Sequence, residues 1–449
     1  MLVTKDKKFY KTFFSLFSVI VLQNVIVLSV NLADNIMVGA YSEVSMSGVA
    51  AVNQIQFIFQ QLIMGTGDAL VVMGSQYWGQ KRTEPIKSLG FAAISLGVLF
   101  GLVLFILASL VPESIAHIFT PSDAIAAQSV EYIRIIKYTY IIFAITNVLL
   151  ALLRSVETVK ISFYVSIMAF VVNCGINYTL INGHFGFPSM GVTGAAIGTL
   201  AARICELCIV LIYVLAVDKK LRIKLSDILK TDFRLAGDYY KNSVFFIVVA
   251  GMFGLSTALQ TVILGHINNS AIGANSIATT LFQVLKVASV GMASATSIVI
   301  GKTIGEGNLK VLKEYVKTLQ LMFIGVGLLT SAALFFLRIP VISFYNISPE
   351  TKRMAEQFIL VLCVTCIGTA YEMPVITGII RGGGDSKFVF INDLISIWCI
   401  VLPLSYFAAF KWNLEPYIVV LCLNSDQIFK CAAAAIKVNR YNWIKKLTR

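Results

Sequence analysis

The stretch Phe13–Val38, FFSLFSVIVLQNVIVLSVNLADNIMV, decides the fold. It holds one charged residue, Asp34, and exceeds the roughly 18 apolar residues that argue for a membrane span. A basic cluster, Lys5 to Lys11, precedes it as in a signal peptide. The apolar run is too long for that, and no small-residue cleavage pattern follows, so it reads as an uncleaved first span.

Similar runs recur near 46–75, 88–110, 129–153, 161–181, 189–216, 240–267, 271–301, 316–337, 354–380, 388–409 and 416–437. Only helices or closed barrels satisfy the backbone in lipid, and runs of this length are helices. The expected fold is an all-α integral membrane protein with about twelve spans. Composition agrees: 57% of the 449 residues are hydrophobic and 13% are charged, against about 25% charged in soluble chains. Mean hydropathy is +0.82.

The net charge of +13 is not spread evenly. Of the 36 Lys and Arg, 27 fall in the termini and even-numbered loops, six in odd-numbered loops, and three (Arg203, Lys286, Lys430) within spans. That is the positive-inside bias, and it predicts both termini in the cytoplasm. A nucleic-acid partner would need a continuous basic face, which is missing. All eight cysteines lie in spans; Cys205–Cys208 and Cys363–Cys366 are spaced as in redox or zinc motifs but read better as small packing residues. Asn268-Asn269-Ser270 and Asn346-Ile347-Ser348 match glycosylation acceptors, a pattern short enough to arise by chance.

Shifted by 226 residues, the chain aligns on itself without a gap through its first two spans. Gly39 falls on Gly265, Gly65 on Gly291, Ala69 on Ala295, Gly79 on Gly305, and Asp34 on Gln260. At a shift of 227, Arg154 falls on Arg381 and Lys160 on Lys387. Six spans per half is even, so the halves share one orientation and are related by a pseudo-two-fold axis along the membrane normal. The expected organisation is a six-helix lobe over 1–216, a cytoplasmic linker over 217–238, and a second six-helix lobe over 239–449.

Polar residues inside spans need a partner or a role, because a charge at the bilayer centre costs about 2.5–3.5 kcal/mol on insertion scales. Asp34 lies in the first span, with Asn31 on the same face. Asn173 and Asn177 share a face of span five, and Thr199 lies at similar depth in span six. All four offer oxygen ligands of the kind hard cations take. Either they bind a cation or proton at Asp34, or they hold Asp34 by interhelical hydrogen bonds. Deeper in lie Asp68, Arg203, Glu206, Lys286 and Glu372. Arg203 has two candidate partners, Glu206 at i+3 and Asp68. Lys286 and Glu372 are a candidate pair within the second half, and for all five residues pairing and substrate contact both stay open. Pro374 should kink span ten. Asp393 and Asp426 are expected at the interface, with Lys387 and Lys430 available.

Gly301-Lys302-Thr303 resembles the end of a phosphate-binding loop, but Thr296 stands where the first glycine belongs. The three histidines are scattered and make no zinc motif. Neither nucleotide-driven transport nor hydrolysis is supported, so no enzyme and no prosthetic group are expected.

Several segments resemble the multidrug and toxic compound extrusion (MATE) family. They are Ala33-Asp34-Asn35-Ile36-Met37-Val38-Gly39, Gln76-Tyr77-Trp78-Gly79, Leu153-Arg154-Ser155 with Lys160, Gly186 to Thr199, Ile300 to Gly305, and Arg381 to Lys387. The resemblance covers essentially the whole chain. It implies a secondary antiporter of the bacterial plasma membrane, exporting organic, mostly cationic compounds in exchange for Na+ or H+ by alternating access, and working as a monomer. The family's cation site maps onto Asp34, Asn173 and Thr199. Asn177 departs from it, since many members carry Asp there. The Glu that another branch carries near the start of span seven is replaced by Asn242-Ser243, and its span-ten acid falls at Ala370, near Glu372. Asp68, Gln260, Lys286 and Glu372 are the candidate substrate contacts. A lipid-linked oligosaccharide flippase of the same superfamily is the alternative reading.

Overall fold

The computed structural model describes residues 3–120, 122–224, 226–227, 231–265, 269–345 and 347–449; at 119, 261, 265, 269, 270 and 272 it describes the backbone only. Asn268 and Asn346 of the two glycosylation matches, and His266, lie outside the described residues. Helices account for nearly all of it. They run α1 Lys7–Tyr41, α2 Glu43–Gly79, α3 Glu84–Leu110, α4 Pro112–Phe119, α5 Asp123–Ile136, α6 Thr139–Ser155, α7 Lys160–Ile181 and α8 Gly191–Ile212. The second half follows as α9 Phe233–Gly265, α10 Asn269–Gly305, α11 Leu309–Ser343, α12 Pro349–Met373 and α13 Ser386–Asp393. The spans begun by α12 and α13 continue to Ile380 and Lys411, and the closing span is Pro416–Asn439.

Among the described residues eleven helices are long and apolar enough to cross a membrane, or twelve if the bent pair α5 and α6 is one span. That pair is the main departure from the expected spans: the fourth is broken, with a bend of 55° between Ile136 and Thr139. Helices also overrun the expected limits, as in α11, which starts at Leu309 and ends at Ser343. At Pro374 the helix type changes within an unbroken span. The α-helix stops at Met373, and wider π-type turns carry the span to Ile380, because proline withholds its N–H from the ladder.

The internal repeat is visible in helix limits. Adding 226 to both ends of α2 gives both ends of α10, and adding it to the start of α1 gives the start of α9. Turn residues set several of these limits. Gly307 adopts φ +75° and Asn308 then caps α11, its side chain accepting from Val311 N. Ser348 caps α12 just before Pro349, the position where proline costs no hydrogen bond.

The outer faces are apolar. On α3, Leu99, Leu102, Val103, Ile106, Leu107 and Leu110 are exposed at helical spacing, a stripe suited to lipid. Many hydroxyls in the spans bond back to carbonyls one turn earlier, as Ser109 does to Phe105 O at 2.7 Å and Thr280 to Ser276 O at 2.7 Å. They therefore need no water.

The chain forms two compact units. The amino unit is Leu22–Gly74 with Lys81–Gly251; the carboxy unit is Met1–Val21, Ser75–Gln80 and Met252–Arg449. Helices α1, α2 and α9 are each divided between them. The amino unit packs Val49, Phe59, Ile63, Ile133, Tyr140 and Ile181 at its core. The carboxy unit packs Phe282, Leu334, Phe358, Ile359, Leu362 and Val419.

The segment expected as a linker, 217–238, falls within the amino unit. Lys220 Nζ donates to Val156 O at 2.5 Å, and Asp227 Oδ2 lies 3.1 Å from Lys87 Nζ at the start of α3. Leu221 and Ile223 are buried. Asp227→Asn removes a charge-assisted bond worth about 1.5–3 kcal/mol. Trypsin should then cut at Lys219–Lys224 sooner than in wild type; an unchanged cleavage rate would mean that Asp227 does not hold this segment.

Candidate functional site

The geometry starts where α7 returns as α8. Gly183 takes φ +76°, Met190 N donates to Leu180 O at 2.8 Å, and Ser189 Oγ donates to Ile181 O at 3.0 Å. These bonds lay α8 against α7. Small residues let the two backbones close up: a Cβ on Gly194 would lie 2.9 Å from Leu180 O, and one on Gly198 would overlap Asn177 Oδ1. Gly194 and Gly198 form a small-xxx-small contact.

This approach gathers four polar side chains within the amino unit. Asn177 Nδ2 donates to Asp34 Oδ1 at 2.6 Å and to Asn173 Oδ1 at 3.2 Å. Asn173 Nδ2 donates to Thr199 Oγ1 at 3.5 Å. Asn173 and Asn177 are buried, and Asp34 is half-buried. Asn177 Oδ1 is buried and accepts no hydrogen bond. The structure therefore joins Asp34, Asn173, Asn177 and Thr199 in one chain of hydrogen bonds. A carboxylate with amide and hydroxyl oxygens beside it is a donor set suited to a hard monovalent cation or to a proton. Asn31 is exposed and is no part of it.

The sequence did not point to Tyr132, and it placed Arg203 deeper, away from Asp34. Tyr132 on α5 is buried within electrostatic reach of Asp34, with its hydroxyl toward Thr199. Arg203, four residues beyond Thr199 on α8, also acts on Asp34. The only sequence signal for Tyr132 was a tyrosine in an apolar helix, which usually means packing.

The deeper residues fall out differently. Arg203 Nη1 donates to Glu206 Oε2 at 2.7 Å, and its guanidinium lies 5.0 Å from the Phe143 ring centroid. Asp68 is not its partner; Asp68 faces Arg154 and Tyr239 electrostatically. Lys286 and Glu372 make no direct ion pair within 4.0 Å among the described residues, although each lies within electrostatic reach of the other. Lys286 instead lies 5.9 and 5.8 Å from the rings of Phe253 and Phe282, because the turn of α10 that carries it faces aromatics. Lys430 takes two carboxylates, Asp393 at 2.8 Å and Asp426 at 3.1 Å. Lys387, the other lysine considered for them, is exposed. Of the four candidate substrate contacts, Asp68 belongs to the amino unit, and Gln260, Lys286 and Glu372 to the carboxy unit. All eight cysteines are free.

Two repeated helical units, lipid-suited outer faces and a half-buried carboxylate within a span define a membrane carrier of repeated architecture. The sequence profile of the MatE family matches residues 20–179 and 255–407, and the chain belongs to that family. A probable multidrug resistance protein NorM of Bacillus cereus is 26% identical over 418 residues, covering 90% of this chain and 88% of the relative. The fold matches that of the eukaryotic MATE transporter AtDTX14 with a TM-score of 0.86 at 16% identity, covering 98% and 97% of the two chains. A MOP superfamily transporter from Pyrococcus furiosus matches with a TM-score of 0.84 at 17% identity, covering 99% and 100%. The protein is thus a multi-pass membrane transporter.

Gly198 is the residue on which the site geometry turns. Gly198→Ala should cost about 1–3 kcal/mol by overpacking against Asn177, lower the Tm and impair transport. Gly175→Ala on α7 meets nothing within 4 Å and serves as the control. Equal Tm values for the two variants would sink this account of the α7–α8 contact.

Proposed function

We propose that this transporter is an antiporter that exports organic, amphipathic cations in exchange for Na+ or H+ by alternating access. The observation that carries the reading is the Asp34–Asn177 hydrogen bond with Asn177 Oδ1 left without a donor beside it. With Asp34 ionised, Asn177 donates to it and its own oxygen is unmatched. A proton taken up by Asp34 supplies an O–H that can be given to an amide oxygen. A sodium ion can instead be shared by the Asp34 carboxylate with the Asn173, Asn177 and Thr199 oxygens. Either event replaces the bond tying α1 to α7, so ion binding and the position of α1 become linked.

The plasma membrane is the setting, with the basic segments on the cytoplasmic side. The driving ion enters from outside and substrate leaves there. The NorM relative, named for multidrug resistance, supports an exported substrate of this kind. Asp68, Gln260, Lys286 and Glu372 are the proposed substrate contacts. The transporter works as a monomer and needs no prosthetic group. A lipid-linked oligosaccharide flippase would need a cationic cavity for a pyrophosphate. The two basic residues considered for such a cavity are Arg203, which is matched by Glu206, and Lys286, which lies within reach of the Glu372 charge; this mixed charge favours the antiporter.

The test is dye efflux from proteoliposomes with a Na+ or an H+ gradient imposed alone. One of the two should drive wild-type efflux, and Asp34→Asn should cut it by about tenfold or more. Undiminished efflux in Asp34→Asn would remove Asp34 from the coupling role, whichever ion drives it.

A further inference from the structure

Within the carboxy unit the tips of α2 and α10 meet. They meet at Gly79 and Gly305, the pair matched by the internal repeat. A Cβ on Gly79 would lie 3.0 Å from Gly305 Cα and 2.9 Å from Glu306 N; one on Gly305 would lie 2.8 Å from the carbonyl carbon of Gln76. Any side chain at either position would push the helix tips apart.

Residues 443–449 lie across this crossing. Trp443 is fully buried, its indole donates to Val438 O at 2.8 Å, and its ring fills the space beside Gly383. Lys445 N donates to Gly383 O at 2.8 Å, and Lys445 Nζ to Asp385 Oδ1 at 2.6 Å. Lys437 holds the other Asp385 oxygen at 2.8 Å. The α2 tip then takes the segment from the other side. Gln76, itself fully buried, donates to Lys445 O at 3.1 Å and accepts from Leu447 N at 2.8 Å. Its amide thus pairs with the segment as a neighbouring strand would. Gln80 Nε2 donates to Thr448 Oγ1 at 2.6 Å, and Tyr77 Oη accepts from Arg449 N at 3.2 Å.

The segment is therefore bonded on one side to the loop after span ten and on the other to the end of the second helix. These are parts of opposite repeats. We infer that residues 443–449 are a latch, which ties the Ser75–Gln80 tip to the 381–385 loop, holds the Gly79–Gly305 crossing shut, and must release before that end can open. The inference rests on the alternating-access reading above. Burial pushes the Asp385 carboxyl up, but the bonds from Lys437 and Lys445 outweigh it and leave it below the ordinary carboxylate value. The Asp385 contribution is thus fully present above that ordinary value and is lost only as pH falls through the lowered one. Acidification across about pH 5 to 8 leaves those ion pairs intact, so release follows helix movement and not titration.

The test uses the full chain in proteoliposomes. Cysteines are placed at Gln80→Cys and Thr448→Cys, with each single variant as control, and dye efflux is read before oxidation, after it, and after reduction. The expected result is a disulfide in the double variant alone, roughly tenfold slower efflux when it is closed, and recovery on reduction. Efflux at the unoxidised rate with the disulfide closed would overturn the latch. A second measurement needs no transport: trypsin cleavage at Lys445 and Lys446 should be slow in wild type and roughly tenfold faster in Gln76→Ala Asp385→Asn. Equal cleavage would overturn the docking itself. If the reduced double variant exports nothing although wild type does, the trypsin result alone decides. If wild type exports nothing under either gradient, it is the antiporter reading that fails.

Discussion

Lipid offers no hydrogen bonds, and this constraint organises the interior. Many hydroxyls, such as Ser109 and Thr280, bond back onto their own helices. Arg203 is neutralised by Glu206, and Lys430 by Asp393 and Asp426. Asp34 has no lysine or arginine in an ion pair among the described residues and depends on an amide donor. A neutral donor satisfies one lone pair of a carboxylate without neutralising its charge, which Arg203, itself paired with Glu206, offsets only in part. The proposed coupling role of Asp34 rests on that remainder.

Close helix approach is the second condition. Gly198 admits Asn177 against α8, and Gly79 admits the α10 tip against α2. The first contact builds the oxygen cluster; the second builds the crossing over which residues 443–449 dock. In both cases a missing side chain lets a backbone reach a partner that a methyl group would displace. Packing and polar chemistry are thus set by the same small residues.

The two repeats have diverged in how they handle charge. Gln260 occupies the place of Asp34, and the carboxy unit surrounds its buried lysine with two carboxylates in direct contact. Lys286 rests against Phe253 and Phe282, within electrostatic reach of Glu372 but in no direct ion pair with it. The amino unit keeps a carboxylate bonded to an amide beside an Arg203–Glu206 pair, while the carboxy unit places two lysines, Lys286 and Lys430, within its spans.

Composition and period determined the helical membrane class, the number of spans to within one, and the repeat, because apolar length and spacing are local properties. They also determined which oxygens share depth with Asp34. Partner choice was decided only by tertiary structure. The Asn177–Asp34 bond spans 143 residues and the Gln76–Lys445 bond 369. Such pairings depend on the rotation and axial register of helices from distant parts of the chain. Rotating a helix by one residue turns a side chain by about 100°, and no local pattern records that angle. The same reason hid Tyr132 beside Thr199, gave Arg203 to Glu206 over Asp68, and placed the 443–449 segment across two glycines that the repeat had already matched.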